Sequence, residues 1–166
     1  MENKIFYSII TPVYNRADCI MRCMQSVEKS MQVRGNIEHV IVDDGSLDST
    51  ASIVEDYAKL HPHVVFVKFP QNRGTNAARN EAIRRAKGKW VVILDSDDYF
   101  CETALSDIDN TIKANPSFGH YAFAADDMLG YYKDNLIIRG GKSESVELSG
   151  FPEWLCELRL HPCDAA

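Results

Sequence analysis

The chain is expected to form an α/β fold: a Rossmann-like, mostly parallel sheet flanked by helices on both faces. Three observations predict it. Short runs that are apolar almost throughout, "FYSII" (6–10), "IEHVIV" (37–42), "VVFVKF" (64–69) and "KWVVIL" (89–94), recur along the first two thirds of the chain. Stretches of helical periodicity separate them, and a polar loop follows each run. Strands covered on both faces lose the apolar–polar alternation of a half-exposed sheet, and helical crossovers between them are right-handed.

The elements follow in order. "FYSII" is the first strand, closed by "TPVYNR", where Pro12 is expected to stop or turn it. From Ala17 to Met31, Ile20, Cys23 or Met24, Val27 and Met31 recur at helical spacing, and "RGN" (34–36) ends that helix. "IEHVIV" is the second strand and "DDGS" its turn; Ile53, Val54, Tyr57 and Leu60 mark a second helix capped near Ser46 or Asp48. "VVFVKF" leads through "PQNRG" into a helix from about Thr75 to Lys87, with Ala78, Ala82, Ile83 and Ala86 inward and Gly88 as its stop. After "KWVVIL", Leu105, Ile108 and Ile112 predict one more helix ending before Pro116. From Gly119 the pattern changes to shorter strand-like pieces, "YAFAA", "DDMLGYY" and "LIIRGG", and "FPEWLCEL" places Pro152 at the first position of a short helix.

Composition bounds the function. A chain of 166 residues, 45% apolar and 25% charged, suits a single globular domain over 1–166. The net charge of −6 and the absence of any Lys/Arg block argue against nucleic acid as a partner. No apolar run approaches a membrane span, and the N-terminus lacks a signal-peptide core, so the chain reads as cytoplasmic. The five cysteines, Cys19, Cys23, Cys101, Cys156 and Cys163, contain no C-x-x-C pair and read as reduced thiols. Cys19 and Cys23 share one helix face, as buried core thiols or as contributors to a metal site. The five histidines show no metal or triad spacing and receive no chemical role.

In an open parallel sheet, ligands bind beyond the carboxyl ends of the strands. The loops "TPVYNR", "DDGS", "PQNRG" and "DSDD" all fall there. Taken alone, "DDGS" serves equally as an ordinary turn and helix cap. The fourth loop is more demanding, because Asp95, Asp97 and Asp98 crowd the end of a buried strand. Two unit charges about 4 Å apart repel by roughly 4 kcal/mol at an effective dielectric near 20. Compensation comes from Arg73 or Arg79, or from a hard divalent cation on Asp95 and Asp97; the alternative is a solvated turn whose Asp98 caps the next helix.

The ordered set "SIITPVYNR", "VIVDDGSLDST" and "NRGTNAARNEAIRRAKGKWVVILDSDDYF" resembles the nucleotide-binding half of family-2 glycosyltransferases, over residues 5 to about 105. The resemblance implies the A-type glycosyltransferase fold and a transfer, with inversion, of a sugar from a nucleoside-diphosphate donor to an acceptor hydroxyl. It implies that Thr11, Pro12 and Tyr14 line the base pocket, that Asp43 accepts the base's ring N–H, and that Asp44 supports the adjoining turn. Asn72 and Gly74 belong to the loop that the donor approaches, and Arg79 contacts phosphate or braces the aspartates. Asp95 and Asp97 become the D-x-D pair, with Ser96 between them in the donor site, Asp95 facing ribose and metal, Asp97 binding metal directly and Asp98 backing them. The implied cofactor is Mn2+ or Mg2+, the favoured donor a UDP-sugar, and the acceptor a glycan or lipid-linked glycan.

The same resemblance divides the domain into nucleotide-sugar-binding βα units over 1–115 and the start of an acceptor-side region over 116–166, which is expected to be cut short. The inner face of the membrane is then a second location for the intact protein. The general base that inversion needs would lie in a later acidic pair. Asp126 and Asp127 form the one such pair in the tail, which makes Asp127 the candidate. Two other readings stand beside this one: a nucleotide-sugar-binding fragment without turnover, and an aspartate-nucleophile, Mg2+-dependent phosphatase with Asp95 attacking phosphorus.

Overall fold

A computed structural model of the chain describes residues 5–33, 35–117, 119–121 and 158–159. Four parallel strands, β1 (Tyr7–Val13), β2 (Ile37–Asp43), β3 (Val64–Lys68) and β4 (Trp90–Ile93), pair in the order β3-β2-β1-β4. Helices α1 (Ile20–Val33), α2 (Thr50–Leu60) and α3 (Thr75–Arg85) connect them, and α4 (Ala104–Ala114) follows β4. A two-residue antiparallel pair, β5 (His120–Tyr121) with β6 (Leu158–Arg159), forms a second small sheet beside β4, with the Tyr121 ring edge-on to Trp90 at 6.0 Å. Leu158 is the only described residue of the stretch expected to open with Pro152 as a helix, and it pairs as a strand with Tyr121. The other strands expected after Tyr121, and the pair Asp126–Asp127, lie outside the described residues.

Both faces of the sheet are covered, as the apolar runs require. Tyr7, Ile9 and Val13 of β1 and Ile37 and Ile41 of β2 join Met24 and Val27 of α1, Val54 of α2 and Leu105 and Ile108 of α4 in one core. Ile10, Val40, Val42 and Val91 pack on the opposite face against Ala78 and Ala82 of α3. The small residues of α3 let its backbone sit close over the strands. β1 and β2 are buried along their whole length, which is why no alternation marks them in the sequence.

Several expected boundaries move, each for a physical reason. Pro12 does not stop the first strand, which runs on to Val13 with Pro12 opposite Val42. The Ile10 carbonyl faces β4, accepting from the Leu94 amide, so position 12 turns its missing N–H to that same side. β4 pairs only as far as Ile10, and no ladder bond is lost. α1 begins at Ile20 rather than Ala17, after a turn in which the Cys19 and Ile20 amides bond the Arg16 carbonyl. α3 ends at Arg85 with Ala86 already extended, so Gly88 is not its stop. A Cβ on Gly88 would lie 2.6 Å from the Ser8 nitrogen; this glycine lets the α3–β4 connection press against β1. The contact is completed by Glu38, whose Oε1 accepts from the Ser8 hydroxyl and the Lys87 amide, both at 2.6 Å, within an otherwise apolar layer.

Candidate active site

α1 and α2 lie on one face of the sheet and α3 on the other, so the chain reverses its winding between β1 and β4. In such an open parallel sheet a ligand crevice lies beyond the carboxyl ends of the strands, where the strand order reverses. A cleft of about 320 Å³ lies there, lined by Pro12, Val13 and Tyr14 with Arg16, by Asp44, by Thr75 and Arg79 of α3, and by Asp95, Ser96 and Asp97. Its size is at the lower end for small-molecule sites, about 300–1,000 Å³.

The two consecutive aspartates after β2 diverge. Asp43 is fully buried, with Oδ2 accepting from the Ser46 amide at 3.1 Å and Oδ1 without a hydrogen-bond partner. Asp44 turns towards α3, where its oxygens accept from the amides of Arg73 (2.7 Å) and Gly74 (2.9 Å). One carboxylate thus satisfies two amides just ahead of the helix, where a negative charge also complements the helix dipole. Asn72 Oδ1 also accepts from the Gly74 amide at 3.2 Å. Gly74 has φ +90° and ψ 149°, a region open in practice to glycine alone, and a Cβ there would meet nothing within 4 Å. Its role within the chain is conformational, and the space beside it is free.

At the end of β4, the Asp98 amide bonds the Asp95 carbonyl and closes a tight turn that presents the carboxylates. Arg79 Nη2 lies 2.9 Å from Asp95 Oδ1, and Arg16 Nε lies 3.8 Å from Asp97 Oδ2. Of the two arginines expected to compensate the aspartates, Arg79 reaches Asp95, whereas Arg73 lies over the Phe69 ring at 4.8 Å. α1 holds the same turn by its backbone: Arg22 Nη2 donates to the Asp97 carbonyl at 2.9 Å, the Cys19 thiol reaches the Ser96 carbonyl at 3.6 Å and the Cys23 thiol the Asp95 carbonyl at 3.8 Å. Burial pushes the Cys23 thiol up to about 12 and raises Cys19, so both are neutral donors at neutral pH. Of this pair only Cys23 is a fully buried core thiol, while Cys19 is half-buried at the turn; Cys19, Cys23 and Cys101 are all free thiols.

Thr11, expected to line the pocket, is not on the cleft. It is fully buried, its hydroxyl 2.9 Å from His39 Nε2 and 3.9 Å from Cys23 Sγ. Thr11 shares the α1 face of β1 with Ile9 and Val13, but lies inside the strand, and of the three only Val13, at its end, reaches the cleft. Arg16, Val13 and Thr75 line the cleft without having been singled out; for Arg16 the signal was its place in the loop directly after the first strand.

Hard oxygen donors paired in one loop suit a divalent cation that keeps part of its shell for water and phosphate oxygens. Asp95 and Asp97 are such a pair, on the wall of the cleft. Among the described residues no three His, Cys, Asp or Glu side chains come together, so these residues form no all-protein cage. The donor set therefore fits Mn2+ or Mg2+ completed by a ligand, and does not fit a closed structural metal site.

A cleft with acidic and basic walls at the carboxyl ends of a helix-flanked parallel sheet belongs here to an α/β protein whose solved structural neighbours have the A-type glycosyltransferase fold. Residues 8–145 match glycosyl transferase family 2, and the chain belongs to that family. It is 39% identical over 111 residues to the poly(ribitol-phosphate) beta-glucosyltransferase of Bacillus spizizenii, covering 66% of this chain and 18% of that protein. It is 41% identical over 95 residues to the putative teichuronic acid biosynthesis glycosyltransferase TuaG of Bacillus subtilis, covering 57% of this chain and 37% of the relative. Among solved structures, it resembles residues 1–349 of S. aureus TarS in complex with UDP (TM-score 0.61, 32% identity, 68% of this chain and 33% of that one). It also resembles the mannosyltransferase PcManGT of Pyrobaculum calidifontis in complex with GDP-Man and Mn2+ (TM-score 0.67, 30% identity, 75% and 37%). The chain spans between about a fifth and two fifths of the length of these proteins. None of the likenesses supports the phosphatase reading. No helix among the described residues is long and apolar enough to cross a membrane.

Proposed function

We propose that this chain carries the donor-binding half of an inverting, metal-dependent glycosyltransferase that takes a sugar from a UDP-sugar to a hydroxyl of a glycan or lipid-linked glycan, in the synthesis of a cell-surface polysaccharide. The observation that carries the reading is the meeting of Asp95, Asp97, Arg16 and Arg79 on one cleft. Carboxylates alone would repel a diphosphate; carboxylates with a cation and guanidinium groups beside them would hold one. Likeness to structures bound to UDP and to GDP-Man with Mn2+ supports the donor class.

In this reading Pro12 and Tyr14 bound the slot for the base, and the unpartnered Asp43 Oδ1 is the acceptor for its ring N–H. Asp44 holds the 72–74 loop in register for the donor's approach, and Asp95, with Ser96 beside it, faces the ribose. Asp95 and Asp97 hold Mn2+ or Mg2+, which when bound stabilises the charge on the departing nucleoside diphosphate. Arg79 holds Asp95 in place through its Oδ1 at 2.9 Å. Asp127 is proposed as the base that takes the proton from the acceptor hydroxyl, in an acceptor-side region that starts near residue 116.

Thermal unfolding with UDP, GDP or CDP, each with and without Mn2+, tests the donor reading. UDP with Mn2+ should stabilise the fold, by about 2.7 kcal/mol at a hundredfold excess over Kd, with little effect of either alone. Asp97→Ala should remove the metal-dependent part. A nucleotide shift of equal size without metal would defeat the metal assignment, and indifference to all three nucleotides would defeat the donor reading. For Asp127→Asn the expectation is a loss of turnover of about a hundredfold or more with UDP binding unchanged.

A further inference from the structure

The two arginines of the cleft are held very differently. Arg79 is committed to Asp95 at 2.9 Å, with its side chain 26% exposed. Arg16 touches Asp97 only at 3.8 Å, with the two side chains 46% and 59% exposed. Its other guanidinium contact is Nη1 to the carbonyl of its own neighbour Asn15, at 3.2 Å. An open pair of that kind contributes at most about 1 kcal/mol, so the guanidinium is free to exchange partners.

The backbone beneath it is fixed. The Asn15 amide donates to Ser46 Oγ at 2.9 Å, Asn15 Oδ1 accepts from the Leu47 amide at 2.8 Å, and the Arg16 amide donates to Thr50 Oγ1 at 2.8 Å. The Ala17 amide adds a bond to Asp48 Oδ2 at 3.2 Å. Asn15 itself sits at φ +50°, a left-handed conformation that the surrounding bonds enforce. The β1–α1 loop is thus pinned to the β2–α2 loop on both sides of Arg16, while the guanidinium lines the cleft with two exposed contacts, Asp97 and the Asn15 carbonyl.

We propose that Arg16 is a diphosphate-binding residue that trades partners: it neutralises Asp97 in the free protein and turns to the donor's diphosphate once Asp97 is committed to a divalent cation. This rests on the donor-site reading above. The guanidinium fork matches two phosphate oxygens at once, which a carboxylate 3.8 Å from a single Nε does not exploit. The turn bearing Asp97 does not depend on Arg16, because Arg22 holds its backbone carbonyl at 2.9 Å.

The exchange predicts two effects of opposite sign, which a simple brace would not produce. Calorimetric titration of the purified chain with Mn2+ alone, and then with UDP at saturating Mn2+, reads both. In Arg16→Gln, Mn2+ alone should bind about threefold tighter, since the competing charge on Asp97 is gone, while UDP binds about tenfold weaker. Arg16→Lys keeps the charge without the fork, so Mn2+ affinity should stay within about twofold and UDP should weaken about threefold. Unchanged UDP affinity in Arg16→Gln, or a parallel loss of Mn2+ and UDP affinity, would overturn the exchange alone. Failure of the unaltered chain to bind UDP would overturn the donor-site reading and this inference together.

Discussion

Single atoms decide how closely the loops of this site approach. A Cβ on Gly45 would fall 2.5 Å from the carbonyl carbon of Gln71, and Gly45 sits at φ +74°. The turn after β2 and the loop before α3 can therefore meet only if this residue has no side chain. Gly45→Ala should cost about 3 kcal/mol of stability in urea titrations, from backbone strain and overpacking together. Asp44 depends on the same approach, since it bonds the Arg73 and Gly74 amides across that junction. Asp44→Ala strands the Arg73 amide and leaves the Gly74 amide only the longer bond to Asn72 Oδ1, and should destabilise by about 1–2 kcal/mol. If Asp44→Ala melted like the unaltered chain, water would be replacing the carboxylate, and the loop would not need it.

Among the elements, α1 does two jobs. Its inner side buries Ile20, Cys23, Met24 and Val27 completely against the sheet. Its first turns hold the acidic turn after β4 through Arg22, Cys19 and Cys23. Met24→Ala empties a fully buried site and should cost about 2–5 kcal/mol. Because the helix also carries the contacts to Asp95, Ser96 and Asp97, UDP affinity should fall with it; full affinity at reduced stability would show that the turn holds its shape without α1. The element boundaries show where local reading stops. α2 and α4 start and end within a few residues of their apolar periodicity, since their burial repeats along the chain. Pro12 and Gly88 were read as punctuation, yet one sits within a strand and the other fits against a neighbouring one. Both errors share a cause: a residue that commonly ends an element is tolerated wherever the missing N–H or Cβ has no partner to lose or no space to fill.

At the scale of the molecule, His39 is a fully buried titratable group in the centre of the sheet. Its Nε2 meets the Thr11 hydroxyl, its Nδ1 has no partner, and burial, with a smaller contribution from His63, lowers its pKa from the ordinary 6.5 to about 3. His63 is lowered as well, first by burial. The folded pKa lies below the unfolded one, so the unfolded chain binds more protons between them. Stability from His39 is complete above pH 6.5 and is lost as pH falls towards 3, with a slope approaching about 1.4 kcal/mol per pH unit. Urea titrations between pH 7 and pH 5 should show this loss, and the His39 ring should give no NMR titration above pH 5. A ring that titrates near 6.5 would show that water reaches the middle of the sheet.

The class of fold, the order of its elements and the end of the sheet that carries the polar loops follow from the sequence by itself. Burial on two faces leaves unbroken apolar runs, and helical burial leaves its period, whatever lies far along the chain. The partners within the site are a different matter. The order β3-β2-β1-β4 sets the first strand beside the last, and so brings Arg16 to Asp97 and Arg79 to Asp95. Thr11 lies deeper in β1 and stays in the core, whereas Pro12 and Val13 at the strand's end reach the cleft, and in a strand buried on both sides no pattern of apolar and polar residues reveals where that end falls. Local sequence writes what each segment can bury. Only the packed sheet decides which charges come within a few ångströms of one another, because that distance belongs to no segment alone.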